Sequence, residues 1–167
     1  MREQMAFVGL GEADAALIRR TAPLVLAHEE ALTSALYDHF LAFPATAPFF
    51  LAADGSPDRE RIERRKHSLG RWLRQTAEVV VEKGFVYYLL GVALSHSHRE
   101  HGPGGKIPPH FMVGAMSLTQ TALAGVFAAE IADAREALDA ATAWNKLLLV
   151  HLNVLLLGYM LPSRSGA

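Results

Sequence analysis

The sequence of 167 residues predicts an all-α protein, and three observations carry that expectation. Apolar residues recur at helical intervals, as in Leu32, Leu36 and Phe40 or Ile62, Leu69 and Leu73, which marks one face of a 3.6-residue turn. Glycine and proline gather between these segments, at "ADGSPD" and "GPGGKIPP", where helices stop and start. Strand alternation, Asn-Gly hairpin turns and glycine-rich phosphate loops are missing.

The elements follow in order. "EADAALIRR", from Glu12 to Arg20, is built of good helix formers. At "TAP" a second helix is expected to restart, with Thr21 as cap and Pro23 in its first turn, and to run to about Ala42 before Pro44. After "TAPFFLA", Ser56 can cap and Pro57 can start a helix whose apolar face is Ile62, Leu69, Leu73 and Thr76. Arg61, Arg64, Arg65, Lys66, Arg71 and Arg74 supply much of its other face, which reads as solvated. A helix from Phe85 to about His101 comes next. Pro108 and Pro109 open another, and a last one spans roughly Arg135 to Met160.

Size and composition set limits on function. The length suits one domain over residues 1–167. Sixteen basic residues against 17 acidic ones leave no field to draw nucleic acid or an anionic membrane. With no cysteine there is no disulfide scaffold, cysteine nucleophile or thiolate ligand, so histidine is the expected ligand of any metal. The N-terminus lacks a signal-peptide pattern, and the apolar run "LLLVHLNVLLLGYML", at 147–161, is shorter than the roughly 20 residues of a bilayer span. A soluble, cytoplasmic protein is expected.

Three of the eight histidines fall in "SHSHREH", as His96, His98 and His101. The spacing is close to the His-x-His-x-Asp-His run of metallo-hydrolases, but that chemistry needs a sheet sandwich, and alternate side chains on one wall. On a helix turning by about 100° per residue, His98 and His101 share a face and His96 lies roughly opposite. His98 and His101 then read as solvated residues complementing the helix dipole. His96 continues an apolar stripe with Leu89 and Val92, beside Tyr88. It is either a satisfied core histidine or the one inward imidazole that a haem pocket requires.

Four segments resemble the protoglobin and globin-coupled sensor family, in order and spacing, between about Gly9 and Tyr159. They are "LYDHFLAFPATAPFF", "RKHSLGRWLRQT", "YYLLGVALSH" and "WNKLLLVHLNVLLLGY". The resemblance implies a globin fold with a short extra N-terminal helix, haem b as cofactor and His96 as the proximal iron ligand. Counting back from the helix start at Ile107-Pro108 also favours His96 over His98 or His101. Tyr37 matches the family's distal tyrosine, and Ser68 falls where the family often has a small hydroxyl residue. A phenol there can donate to a dioxygen ligand, which carries more negative charge than carbon monoxide; as alternatives, Tyr37 caps the core and Ser68 faces a backbone carbonyl. Trp72 reads as pocket or core packing rather than electron transfer, and Met112 stands on the haem wall where many relatives place an aromatic. Arg65 and Lys66 are both candidates for the haem propionates.

The expected function is reversible binding of a diatomic gas (O2, CO or NO), for sensing or gas handling. A haem enzyme with peroxidase or nitric-oxide chemistry is one alternative, with His67 as its only distal candidate. A haem-free helical signalling module is another. The family implies a homodimer through the last two helices, which suits a segment apolar on more than one face. No kinase, cyclase or methyl-accepting segment follows Leu161, so the resemblance covers either a single-domain protoglobin or the globin part of a sensor.

Overall fold

A computed structural model describes residues 1–162. Seven α-helices make up most of them: α1 (Arg2–Phe7), α2 (Glu12–Ala27), α3 (Glu29–Ala42), α4 (Arg59–Ala77), α5 (Lys83–His98), α6 (Pro109–Glu130) and α7 (Ala134–Met160). Short 3-10 turns at Ala47–Phe50 and Gly102–Gly104 lie in the connections. The described residues contain no strand, only an isolated bridge between Leu51 and Pro57.

The longest helix organises the rest. α7 packs on α2, α5 and α6, and its stripe of Ala140, Ala143, Trp144, Leu147, Leu148 and His151 is buried almost completely. The Trp144 indole N–H donates to Thr21 Oγ1 (2.9 Å), and that hydroxyl donates on to Leu17 O (2.8 Å). Lys146 Nζ binds Asp14 and Gly9 O, tying α7 to the start of α2. Where α5 crosses α7, a Cβ at Gly158 would collide with that of Ala93, so glycine sets how closely the two backbones approach.

Several sequence expectations are corrected here. Thr21 caps nothing: α2 runs unbroken from Glu12 through Pro23 to Ala27, and the chain breaks at His28 instead. Burial of Ile18, Ala22 and Val25 against α7 outweighs the one N–H that proline removes. Asp58, not Ser56, caps α4, accepting from Arg61 N–H at 3.0 Å, while Ser56 binds Asp54. The apolar run at 147–161 is the end of a 27-residue helix. By length and composition α6 and α7 are each apolar enough to cross a membrane, although α7 buries much of that surface inside the protein. α5 ends at His98 rather than His101, with consequences for the histidine cluster.

Candidate functional site

α3, α4, α5 and α6 enclose a cavity of about 570 Å³, within the ~300–1,000 Å³ usual for cofactor and small-molecule sites. Its walls are mainly apolar and aromatic: Leu36 and Phe40 from α3 with Phe49 and Phe50 from the 3-10 turn after it, and Leu69, Leu89, Val92, Phe111 and Met116 from α4, α5 and α6. Each of the five residues singled out from the sequence, Tyr37, Ser68, Trp72, His96 and Met112, lines this one cavity.

His96 is set in a fixed protonation state. Its Nδ1 faces Val92 O at 2.7 Å; a carbonyl only accepts, so Nδ1 carries the proton. Its Nε2 faces Arg65 Nη1 at 3.2 Å; a guanidinium only donates, so Nε2 presents its lone pair. The imidazole is therefore neutral. Burial, and then the Arg65 charge, push its pKa down to about 4. A second-sphere carbonyl on one nitrogen and a lone pair in a cavity on the other is the usual preparation of a metal-ligating histidine.

His101 departs from expectation. It was expected to face water with His98, but it is 6% exposed and its ring lies 5.6 Å from that of His96. Because α5 stops at His98, helical phase no longer governs residue 101, and a glycine turn folds the chain back. Gly102 and Gly105 adopt left-handed backbones, and a Cβ at Gly104 would strike the Phe49 ring. His101 N–H donates to Gly105 O (2.8 Å), and Ile107 N–H donates to His96 O (3.0 Å). The returned His101 donates through Nε2 to Ser95 O (2.9 Å) and accepts at Nδ1 from Arg65 Nη2 (2.7 Å). His98 is half-buried, with Nδ1 against Ser97 Oγ at 2.6 Å. Among the described residues no three His, Asp or Glu side chains converge as a metal site.

Arg65 is likewise turned inward, off the solvated face assigned to the basic residues of α4. It is half-buried, and its guanidinium lines the cavity. A signal for this was present: Arg65 precedes Leu69 by four and Trp72 by seven, so it continues their stripe.

The remaining candidates differ in what their polar atoms meet. Tyr37 is buried, edge-on to Phe40 and Phe50 with ring centroids 5.7 and 5.6 Å away, and burial holds its phenol protonated. Ser68 lines the cavity at an exposed position, and its hydroxyl donates to Arg64 O (3.1 Å). Trp72 is buried, and its indole N–H is sealed from water without a partner among the described residues. Met112 is half-buried.

The donor set fits haem: one neutral imidazole whose Nε2 lone pair faces the cavity and is held only by the mobile end of the Arg65 side chain, and an apolar wall on four helices. Comparison with known proteins gives the family and the fold. The family model described as Protoglobin matches residues 1–163. The globin domain of a Geobacter sulfurreducens globin-coupled sensor superposes with a TM-score of 0.78 at 20% identity, over 95% of this chain and 97% of that one. The globin domain of E. coli DosC matches in its ferric form (TM-score 0.72, 15% identity, 93% of this chain and 99% of that one) and in its ferrous form (0.73, 17%, 93% and 98%). At these identities the structures share the fold. No curated protein matches the sequence.

Proposed function

The chain belongs to the Protoglobin family, and from that premise we propose that it is a haem b protein that reversibly binds a diatomic gas. The observation that carries the reading is the locked tautomer of His96, which leaves Nε2 unprotonated inside a cavity of cofactor size. Haem iron held by one histidine supplies a vacant coordination position for O2, CO or NO.

The chain's own residues would do the rest. His96 would hold the metal through Nε2, with Val92 O fixing the ring through Nδ1. Tyr37 keeps its phenolic proton and, with no protein acceptor among the described hydrogen bonds, has it free to donate to a ligand bearing negative charge. That donation favours dioxygen over carbon monoxide. Ser68 would contribute a weaker second donor by turning from Arg64 O. Leu89, Val92, Trp72 and Met112 present apolar surface to the cavity and would keep water from the metal. His67 is exposed and outside the cavity lining, so nothing here favours a peroxidase reading.

Residues 1–167 would act as one soluble domain, in a reducing compartment that suits a chain without cysteine. A homodimer through α6 and α7 is supported by the exposed apolar side chains Val113, Leu149, Leu157 and Met160.

The test is the absorption spectrum of the purified protein. A strong Soret band is expected, lost or changed in His96→Ala and restored there by free imidazole. A chain that takes up no haem would overturn the reading.

A further inference from the structure

His96 and His101 are five residues apart in sequence and side by side in space. α5 stops at His98, and the glycine turn returns His101 until its ring lies 5.6 Å from that of His96, tilted by 38°. Each imidazole has one nitrogen tied to a backbone carbonyl of α5. His96 Nδ1–H donates to Val92 O at 2.7 Å, and His101 Nε2–H donates to Ser95 O at 2.9 Å. The two remaining nitrogens, His96 Nε2 and His101 Nδ1, are therefore unprotonated. Both turn to one guanidinium, at 3.2 Å from Arg65 Nη1 and 2.7 Å from Arg65 Nη2. Two neutral lone pairs thus converge on a single cation.

That arrangement has the parts of a two-histidine metal site. Zinc takes imidazole nitrogens at about 2.0–2.1 Å, and two such ligands at a tetrahedral angle set their ring centres about 5–6 Å apart. The observed 5.6 Å falls in that range. The carbonyls of Val92 and Ser95 supply the outer-shell bonds that fix the tautomer and orientation of ligating histidines. No third His, Asp or Glu side chain among the described residues joins the pair, so water would fill the other positions. The neighbouring charges leave room for a further cation. Arg61 is paired with Asp58 and Arg64 with Glu60, Arg99 is exposed where solvent screens it, and Glu100 adds a carboxylate to the same cavity lining.

We infer that His96 and His101 together bind one divalent transition-metal ion of imidazole preference, zinc or copper(II), which takes the place of the Arg65 guanidinium. Arg65 is held there by hydrogen bonds to two neutral partners, and no carboxylate among the described residues lies within ion-pair distance to retain it. A metal ion forms a coordinate bond at each nitrogen instead. Arg65 is half-buried beside the cavity, so its long side chain has room to withdraw. The ion site differs from a haem centre in using His101, and it excludes haem because both need His96 Nε2. The metal site stands by itself, and the exclusion rests on the haem reading above. His98 is no substitute for His101: it lies outside the cavity lining, with Nδ1 against Ser97 Oγ.

The experiment is calorimetric titration of the untagged, haem-free chain with zinc chloride. Wild type should take up one zinc ion per chain. His96→Ala and His101→Ala should each abolish that uptake, and His98→Ala should keep it. Arg65→Met removes the competing cation and should tighten binding by about 10- to 100-fold, the worth of the charged hydrogen bonds it breaks. Copper(II) paramagnetic resonance on wild type should show two coordinating nitrogens, a reading that needs no variant to fold. Zinc should also block haem uptake by wild type and leave uptake by His101→Ala unaffected. Zinc binding that survives His101→Ala, as at an adventitious surface histidine, overturns the inference. So does a single coordinating nitrogen, or binding seen only in Arg65→Met, and either result leaves a haem protein in place. A chain that takes up zinc through both histidines but no haem keeps this site and loses the haem reading.

Discussion

His96 and His151 begin from similar surroundings and end in different ones. Each sits on an apolar helical stripe, after Leu89 and Val92 in α5 and after Leu147 and Leu148 in α7. His96 has a partner of fixed polarity at each nitrogen and opens on a cavity. His151 is completely buried, edge-on to Phe85 and Trp72 with ring centroids 5.1 and 6.1 Å away, and neither of its nitrogens has a partner among the described residues. It fills the core as an aromatic ring would. Burial on an apolar stripe therefore does not identify a ligand; a locked tautomer whose unprotonated nitrogen faces a cavity does.

The contrast between close-packed core and open cavity can be broken most forcefully at the two tryptophans. Trp144→Ala removes a fully buried indole together with its bond to Thr21, and should cost about 3–5 kcal/mol of unfolding free energy in urea. Trp72→Ala should cost clearly less, because one side of that indole already faces the cavity and its N–H has no protein partner to lose. Equal losses would mean that the cavity wall is packed as tightly as the core.

His151→Leu should act in the opposite direction. Removing two unsatisfied buried nitrogens at little change in volume is expected to stabilise the haem-free chain by about 1–3 kcal/mol at pH 7. The pH dependence has a definite sign. Burial holds His151 neutral down to about 3, against 6.5 when unfolded, so below pH 6.5 the unfolded chain binds the proton first. Stability then falls with acid by about 1.4 kcal/mol per pH unit through this window. His96 adds the same sign between 6.5 and about 4. Urea melts from pH 7 to pH 4 should show a shallower acid slope in His151→Leu, and an unchanged slope would refute the unpartnered burial.

On α7 the inner stripe and the outer face form a second contrast. Leu149 and Leu157 are 43% and 47% exposed, one helical side away from the buried Leu148 and Leu155. Replacing both by lysine should change the stability of one chain by no more than about 0.5 kcal/mol per site. Sedimentation should nonetheless show a dimer becoming a monomer. A wild type that is already monomeric would remove the proposed interface.

These contrasts also separate what the sequence reveals from what only packing decides. The helices are legible because apolar period and Gly/Pro punctuation agree, down to Pro109 opening α6. His96 is legible as an inward position because its stripe, Leu89 and Val92, is apolar, whereas Tyr37 follows Thr33 and Ser34 and is legible only through the family resemblance. Arg65 is harder to read, since seven cations on one helix look equivalent until α5 and its histidines arrive beside one of them. His101 escapes helical phase because α5 ends at His98, and Gly102 immediately after it marks the turn. Thr21 resembles a cap in the sequence because one of its two partners, Trp144, lies 123 residues away, while its hydroxyl donates to Leu17 O.

The smallest stability effect belongs to the residue given the most exacting role. Tyr37 Oη has no hydrogen-bond partner among the described residues, so Tyr37→Phe removes no protein contact beyond the hydroxyl itself. Its ring still packs edge-on against Phe40 and Phe50, and unfolding free energy should move by no more than about 0.5 kcal/mol. The gas should register the change instead. A lost hydrogen bond of about 1 kcal/mol corresponds to an oxygen dissociation rate roughly fivefold faster, with carbon monoxide much less affected because it accepts a hydrogen bond poorly. Stopped-flow dissociation of both gases from wild type and Tyr37→Phe separates the readings. Oxygen and carbon monoxide changing together would indicate altered cavity shape, while neither changing would return Tyr37 to the role of a core residue whose hydroxyl happens to face open space.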